Sequence, residues 1–282
     1  VQQRRIGDAK VSAIGLGCMP VSVHEGEPSR EQAIATIHAS LAAGVRLLDT
    51  ADAYSPTKRM GHNEEIVAEA LRSWSGDTDE VLVATKGGHV RTPNGGWDID
   101  GRPQHLRDAV EASMRRLGVD VIGLYQHHRP DPDVPYAETL GAMAELLDAG
   151  KIRFAGISNA DPGQIRQAYG AFPLASVQNE FSPRFRSSEP ELELCAELGV
   201  AFLPWSPLGG MSSAAELGTE HSAFATVAER HGVSPQQVCL AWELAKADVV
   251  IPIPGSSRPE TAIASAAAAD LELSDDDLAL LG

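Results

Sequence analysis

An aspartate closing a buried strand, a tyrosine five residues on and a lysine able to reach both would form a proton-transfer unit. This chain carries candidates for all three. Residues 46–48 read as a short apolar strand that ends on Asp49, and Tyr54 stands in the polar, turn-prone segment that follows. A carboxylate at the end of a buried strand is costly unless a cation meets it. A phenol with an ordinary pKa of about 10 needs help to act as an acid near neutrality. One lysine would answer both needs, neutralising Asp49 and favouring the phenolate of Tyr54. Lys86, at the end of the apolar run 81–86, is the candidate. A histidine pair, His127-His128, ends a later strand. Strand alternation says only that the two side chains point to opposite faces.

The elements that must position these groups alternate regularly. The pattern predicts a hairpin over 4–13 turning near Gly7-Asp8, then a short strand at 14–17. A helix starts at Ser29 with Gln32 as its capping-box partner and stops near Gly44. Further strands are expected at 46–49, 81–86, 121–128, 152–158, 175–179, 201–205 and 249–253. Helices at 63–71, 104–117, 136–149, 162–169, 189–198, 235–245 and 259–268 alternate with them. Residues 87–103, rich in Gly, Pro and Asp, read as a loop. A terminal helix begins at Ser274, and Asp275-Asp276-Asp277 read as its N-terminal charge. Alternating strands and helices imply parallel strands joined by crossover helices.

Eight such pairs within 282 residues fit a single-domain (β/α)8 TIM barrel over 1–282, preceded by an N-terminal β-hairpin. A Rossmann sheet is the rival, but Gly15-Leu16-Gly17-Cys18-Met19-Pro20 puts proline where the third glycine belongs. In a barrel the chemistry lies at the C-terminal strand ends. Those ends carry Asp49, Lys86, His127-His128, Ser158-Asn159, Gln178-Asn179-Glu180, Trp205-Ser206 and Gly255-Ser256. Singly, each has an ordinary structural role. Their succession on consecutive strand ends favours a site.

Composition narrows the partners. A net charge of −16 argues against a nucleic-acid backbone or an anionic membrane surface. Cys18, Cys195 and Cys239 are far apart and form no CxxC, so neither a zinc site nor a disulfide framework is indicated. No apolar run approaches the roughly 20 residues of a membrane span. Val1 to Arg5 lack a signal-like apolar run, so a cytoplasmic setting is the default expectation.

The strand-end groups, with Gly15-Leu16-Gly17, Leu48-Asp49-Thr50-Ala51-Asp52-Ala53-Tyr54, Ala84-Thr85-Lys86-Gly87, Leu124-Tyr125-Gln126-His127-His128, Trp205-Ser206-Pro207-Leu208-Gly209 and Ile251-Pro252-Ile253-Pro254-Gly255-Ser256, resemble the aldo-keto reductase superfamily. The likeness is nearer to bacterial members of the potassium-channel β-subunit-like branch than to the aldose reductases. It implies a carbonyl reductase using NADP(H) on a small-molecule aldehyde or ketone. By resemblance Tyr54 is the general acid, Lys86 stabilises its tyrosinate, Asp49 pairs with Lys86, and the catalytic histidine is His128. His127 is then structural. The resemblance places the nicotinamide carboxamide on Ser158, Asn159 and Gln178, with Trp205 stacked on the ring. Ser206, Leu208 and Gly209 would line the pyrophosphate, and Gly255, Ser256, Ser257 and Arg258 the adenosine phosphate.

Departures are visible. Ala264-Ser265 replace a Glu-Asn pair that contacts adenine in many relatives, and Gly255 stands where some carry lysine. With no long C-terminal loop read after the last helix, the pocket is expected from Met19 to His24, Tyr54 to Met60 and the loop carrying Trp97. Met19, Val21 and Trp97 are the pocket candidates. A regulatory or sensing subunit that binds NADP(H) with little turnover is the alternative, and the lack of an extended N-terminal inactivation segment counts against a channel role. A metal-dependent hydrolase built on Asp49, His127 and His128 is a third reading, disfavoured by Lys86. Oligomeric state is not legible.

Overall fold

A computed structural model describes residues 2–23, 28–56, 59–210 and 213–282. Strands β1 (Gln3–Ile6) and β2 (Ala9–Ser12) form the N-terminal antiparallel hairpin. The core then runs β3 (Leu16–Gly17), α1 (Arg30–Ala42), β4 (Leu47–Asp49), α2 (His62–Ser73) and β5 (Leu82–Gly87). A second hairpin follows, β6 (His89–Arg91) and β7 (Trp97–Ile99). Next come α3 (Pro103–Leu117), β8 (Ile122–His127), α4 (Tyr136–Asp148), β9 (Ile152–Ser158), α5 (Pro162–Ala171), β10 (Leu174–Gln178), α6 (Glu189–Leu198) and β11 (Ala201–Phe202). The chain closes with α7 (Leu217–Glu220), α8 (Ser222–His231), α9 (Pro235–Leu244), α10 (Pro259–Ala267) and α11 (Asp275–Leu281).

Seven strands form one parallel sheet in the order β11-β10-β9-β8-β5-β4-β3. The expected eighth strand is present as an extended segment without a regular ladder. Its prolines explain this. Ile251 N donates to Phe202 O (2.8 Å) and Ile253 N to Pro204 O (3.2 Å), on the β11 side. On the other side Pro252 and Pro254 have no N–H to offer, so they only accept, from Gly15 N (2.9 Å) and Gly17 N (3.0 Å). These bonds close the barrel. Gly17 is required at the seam, because a Cβ there would stand 2.7 Å from Ile253 O.

The barrel interior holds Leu47, Leu82, Ala84, Leu124, Ala201, Leu203, Ile251 and Ile253, and Ile6 and Val11 of the first hairpin pack into the same cluster. The hairpin thus plugs the N-terminal end, opposite the strand ends that carry the polar groups. A larger cluster fills the space between β8–β11 and their helices, with Tyr125, Phe181, Phe202 and Trp242 at its centre. Local signals set the helices. Asp161, Ser234 and Ser274 form capping boxes with Gln164, Gln237 and Asp277. At α1 only half of the expected box forms. Ser29 accepts from Gln32 N (3.2 Å), but the Gln32 side chain turns away and donates to Ser257 O (2.8 Å). That bond ties α1 to the loop before α10. Residues 87–103, expected as a loop, fold into the β6–β7 hairpin, and α8 is an element that the sequence pattern left unassigned.

Candidate active site

Parallel pairing of β3, β4, β5 and β8 places Asp49, Lys86 and the histidine pair on adjacent strand ends. Lys86 is fully buried and its ammonium uses each of its protons: to Asp49 Oδ1 (2.6 Å), Thr50 O (2.8 Å) and Tyr54 Oη (3.1 Å). Asp49 Oδ2 accepts from Gln178 Nε2 (2.8 Å) and Gln126 Nε2 (3.4 Å), and Ser176 Oγ holds the other end of Gln126 (3.1 Å). The buried charge pair is therefore fully hydrogen-bonded, the condition under which such a pair is tolerated.

Backbone bonds fix the loop that carries Tyr54. Thr50 N donates to Ala84 O (2.8 Å) and Asp52 N to Lys86 O (3.1 Å). Asn63, fully buried on α2, accepts from Thr50 Oγ1 (2.6 Å) and donates to Cys18 O (2.7 Å) and Ser22 Oγ (2.6 Å). One asparagine thus joins the Met19 loop to the tyrosine loop.

The electrostatics correct one expectation. Burial pulls the Lys86 ammonium down, but Asp49 and Tyr54 outweigh it and the net shift is upward, so Lys86 stays charged. Burial raises Tyr54 and Lys86 opposes the rise without cancelling it, so the phenol lies above its ordinary value, not below it. In this state Tyr54 is a neutral hydroxyl. Lys86 limits the cost of its anion; it does not create one at rest.

Tyr54 lines a cavity of about 530 Å³ with Met19, His128, Ser158, Asn159, Gln178 and Trp205. The His128 ring stands edge-on to Tyr54 at 5.7 Å between centroids. Burial, then Lys86 and the neighbouring His89, Arg129 and His127, hold its pKa well below the usual histidine range, so its imidazole is neutral. A neutral imidazole can donate a hydrogen bond to a carbonyl oxygen without adding charge. His127 faces elsewhere: it is fully buried, packs against Tyr136 at 5.9 Å and is held to about 4 by burial. Asp49, His127 and His128 do not converge on one point, so the metal-hydrolase reading has no donor set in these three residues.

The far wall of the cavity is rigidly held. Asn159, directly after β9, and Ser206, in the segment after β11, are non-glycine residues with left-handed φ values of 56° and 51°. Such backbone is costly unless neighbours fix it. Asn159 is fixed on three sides: its Nδ2 donates to His128 O and Ser158 Oγ (both 3.0 Å), and its Oδ1 accepts from Trp205 Nε1 (3.2 Å). The indole of Trp205 is thereby held as a cavity wall. Asn179, next to Gln178, does not enter the cavity; it brackets the backbone of Ala160, accepting from its N (3.1 Å) and donating to its O (2.9 Å).

Ser206, Leu208, Gly210 and Gly255 extend the cavity toward α10. Ser256 Oγ accepts from Arg258 N (3.2 Å) and donates to Arg258 O (2.8 Å), so this turn is preformed at the helix N-terminus, with Arg258 exposed as the N-cap. Gly209 turns away from the cavity and faces Arg184. Gly255 lies against Pro20, and a Cβ there would stand 2.7 Å from its ring, so a lysine at that position needs a different local packing.

Of the pocket candidates, Met19 and Trp97 line the cavity and Val21 does not. Met19–Val21 form a 3₁₀ turn that directs Val21 inward, 1% exposed, against Ile37, Leu41 and Ile66. His24, Thr57 and Lys58 lie outside the described residues. The β6–β7 hairpin adds residues that the sequence reading missed. His89 stacks on Trp97 (4.7 Å) and meets His128 edge-on (5.0 Å). Arg129 lines the same side. Its only sequence signal was adjacency to His128.

The Ser158 hydroxyl, the acceptor of Gln178, the Trp205 wall that Asn159 holds and the preformed turn before α10 fit a dinucleotide laid from the cavity floor to the helix N-terminus. The Aldo/keto reductase family matches residues 13–281. An uncharacterized oxidoreductase of Schizosaccharomyces pombe is 36% identical over 98% of this chain and 88% of its own length. Among solved structures, the glycerol dehydrogenase of Gluconobacter oxydans has a TM-score of 0.87 at 27% identity, covering 99% of this chain and 93% of that one. An aldo/keto reductase from Klebsiella pneumoniae, solved with NADP and acetate, has a TM-score of 0.83 at 29% identity over the same shares of the two chains.

Proposed function

The chain belongs to the aldo/keto reductase family, and from that premise we propose that it is an NADP(H)-dependent oxidoreductase that reduces an aldehyde or ketone to an alcohol. One observation carries this reading: the Tyr54 hydroxyl lies 3.1 Å from a fully buried, charged Lys86 and also lines the cavity. The Klebsiella relative with bound NADP and the glycerol dehydrogenase relative support the cofactor and the reaction class.

The cofactor, when bound, supplies the hydride that adds to the carbonyl carbon. The rest belongs to the protein. Tyr54 Oη donates its proton to the carbonyl oxygen as charge develops there. The resulting tyrosinate stays 3.1 Å from the Lys86 ammonium, which is held in place by Asp49. Neutral His128 orients the carbonyl by a second hydrogen bond. Ser158 and the Gln178 oxygen would hold the carboxamide, Trp205 would support the ring, and Asn159 would position both Ser158 and Trp205. Ser256, Ser257 and Arg258 would receive the adenosine phosphate at the start of α10, a helix with no side-chain cap bond.

The test is NADPH oxidation with a panel of aldehydes and ketones, repeated with NADH. Turnover that is faster with NADPH supports the reading. Tight cofactor binding with no turnover of any carbonyl would favour a sensing subunit instead.

A further inference from the structure

We propose that Arg129 selects anionic carbonyl compounds, so that the preferred substrates are oxo acids: aldehydes or ketones that also carry a carboxylate. This rests on the reading of the cavity as a carbonyl-reducing site.

The argument begins with charge. In a chain of net charge −16, arginines such as Arg30, Arg102, Arg107, Arg116, Arg153 and Arg230 are each met by a carboxylate. Arg129 is half-buried, lines the cavity and has no ion-pair partner among the described residues. The carboxylates around it are otherwise disposed. Asp131 bonds the backbone N of Gly101 (2.7 Å) and of Asp133 (2.9 Å). Asp98 bonds Ile99 N (2.9 Å). Glu180 feels the Arg129 charge but forms no ion pair with it. Asp49, the one carboxylate on the cavity lining among the described residues, is bonded to Lys86 and Gln178. A partly desolvated guanidinium with five N–H donors and no anion is a ready carboxylate receptor.

Topology decides which ligand it faces. The strand order runs from β3 through β4, β5, β8, β9 and β10 to β11, and the 249–255 segment closes the ring. Arg129 follows the fourth of these strands. The turn before α10 follows the eighth, across the barrel mouth. Cofactor phosphates placed at that turn are therefore remote from Arg129. It shares the cavity lining with His128 and with the stacked His89–Trp97 pair, and its charge acts on His89 and His128. Burial, reinforced by Arg129 and Arg91, lowers His89 to about 4, so His89 adds no charge at neutral pH; Arg91 stacks over Trp97 at 4.1 Å and is not part of the cavity lining.

Two matched comparisons test the assignment. In the first, kcat/KM with NADPH is measured for succinic semialdehyde against butanal. In the second, benzoate and benzamide are titrated into the enzyme with NADP⁺ bound. The wild type is expected to favour the charged member of each pair by tenfold or more. Arg129→Gln is expected to reduce that ratio about ten- to a hundredfold, the scale of a hydrogen-bonded charge pair, while Arg129→Lys retains part of it. NADPH affinity of each variant reports folding. If Arg129→Gln fails to fold, the wild-type ratios and Arg129→Lys still decide. A wild type with no preference for the charged member, or a variant that weakens both members equally, overturns the proposal. Benzoate discrimination without turnover of any carbonyl would sink the proposed function and leave the anion site standing.

Discussion

Asp49→Asn isolates what the buried carboxylate does for Tyr54. Asparagine keeps the shape and an oxygen toward Lys86, so the bonds from Nζ to Thr50 O (2.8 Å) and Tyr54 Oη (3.1 Å) can persist. The charge is lost, however, and the new amide sets an N–H₂ against Gln178 or Gln126, which both donate at this point. Lys86, fully buried, is left without an anion. Removing one partner of a buried pair costs about 3–5 kcal/mol. Most of that falls on the protonated lysine, which can shed it by losing its proton. The ionisation of Lys86, raised in the wild type by Asp49 and Tyr54, therefore moves down. Neutral lysine does not stabilise a tyrosinate. The expected result is an alkaline limb of kcat that moves to lower pH, with a loss of about 10²–10³ above it, the scale of a lost electrostatic stabiliser, and activity recovered below it. The assay is steady-state NADPH oxidation across pH, with a neutral aldehyde at saturation. An alkaline limb at the wild-type position would refute the reasoning, because it would mean that Asp49 does not set the charge on Lys86.

Other expectations follow from the same geometry. Arg258→Ala is expected to weaken NADPH roughly ten- to a hundredfold and NADH much less, since charge-assisted bonds are worth about 1.5–3 kcal/mol; equal losses in binding titrations would mean that Arg258 only shapes the turn. His128→Ala is expected to lower kcat or misorient substrate, whereas His127→Ala acts on stability; kinetics and thermal melts on both mutants separate the roles. His127 has a folded pKa of about 4, below the unfolded value, so its contribution to stability is present above about pH 6.5 and is lost as pH falls toward 4, at most about 3 kcal/mol; urea midpoints should fall over that window in the wild type and less so in His127→Asn. Glu243 is fully buried with both carboxyl oxygens unpartnered among the described residues, and burial raises it well above the carboxylate range. Its stability contribution is therefore present below the unfolded carboxyl pKa of about 4.3 and is lost as pH rises, so Glu243→Gln is expected to raise the melting temperature at pH 8 more than at pH 5.

The groups that were legible in the sequence share a physical reason. Asp49, Lys86, His128 and Gln178 each end an apolar run, and a barrel brings strand ends together without further instruction. The run itself locates Asp49, Lys86, Gln178 and the His127-His128 pair, while the choice of His128 within the pair comes from the family resemblance. What was not legible depends on non-local packing. The β6 and β7 strands have three residues each and are stabilised by stacking of His89 on Trp97 and of Arg91 over the indole at 4.1 Å. No alternation long enough to detect precedes that contact. The eighth strand was found, but Pro252 and Pro254 deny it a ladder. Val21 was assigned to the pocket by proximity to Met19, and a 3₁₀ turn rotated it into the core. Helix α8 does carry a signal, Phe224, Val227 and Ala228 on one face with Gly232 as its stop. The upward shift of Tyr54 could not be read at all, because it is the difference between burial and one opposing charge.

Tyr54→Phe tests the central claim most directly. Phenylalanine keeps the ring beside His128 and removes only the hydroxyl that Lys86 holds. NADPH affinity by fluorescence titration is expected to stay near the wild-type value, while single-turnover reduction of an accepted aldehyde slows about 10²–10⁴-fold, the scale of a positioned acid. A mutant that binds NADPH and reduces the aldehyde at close to the wild-type rate would contradict the account, because Tyr54 would then not be the proton donor.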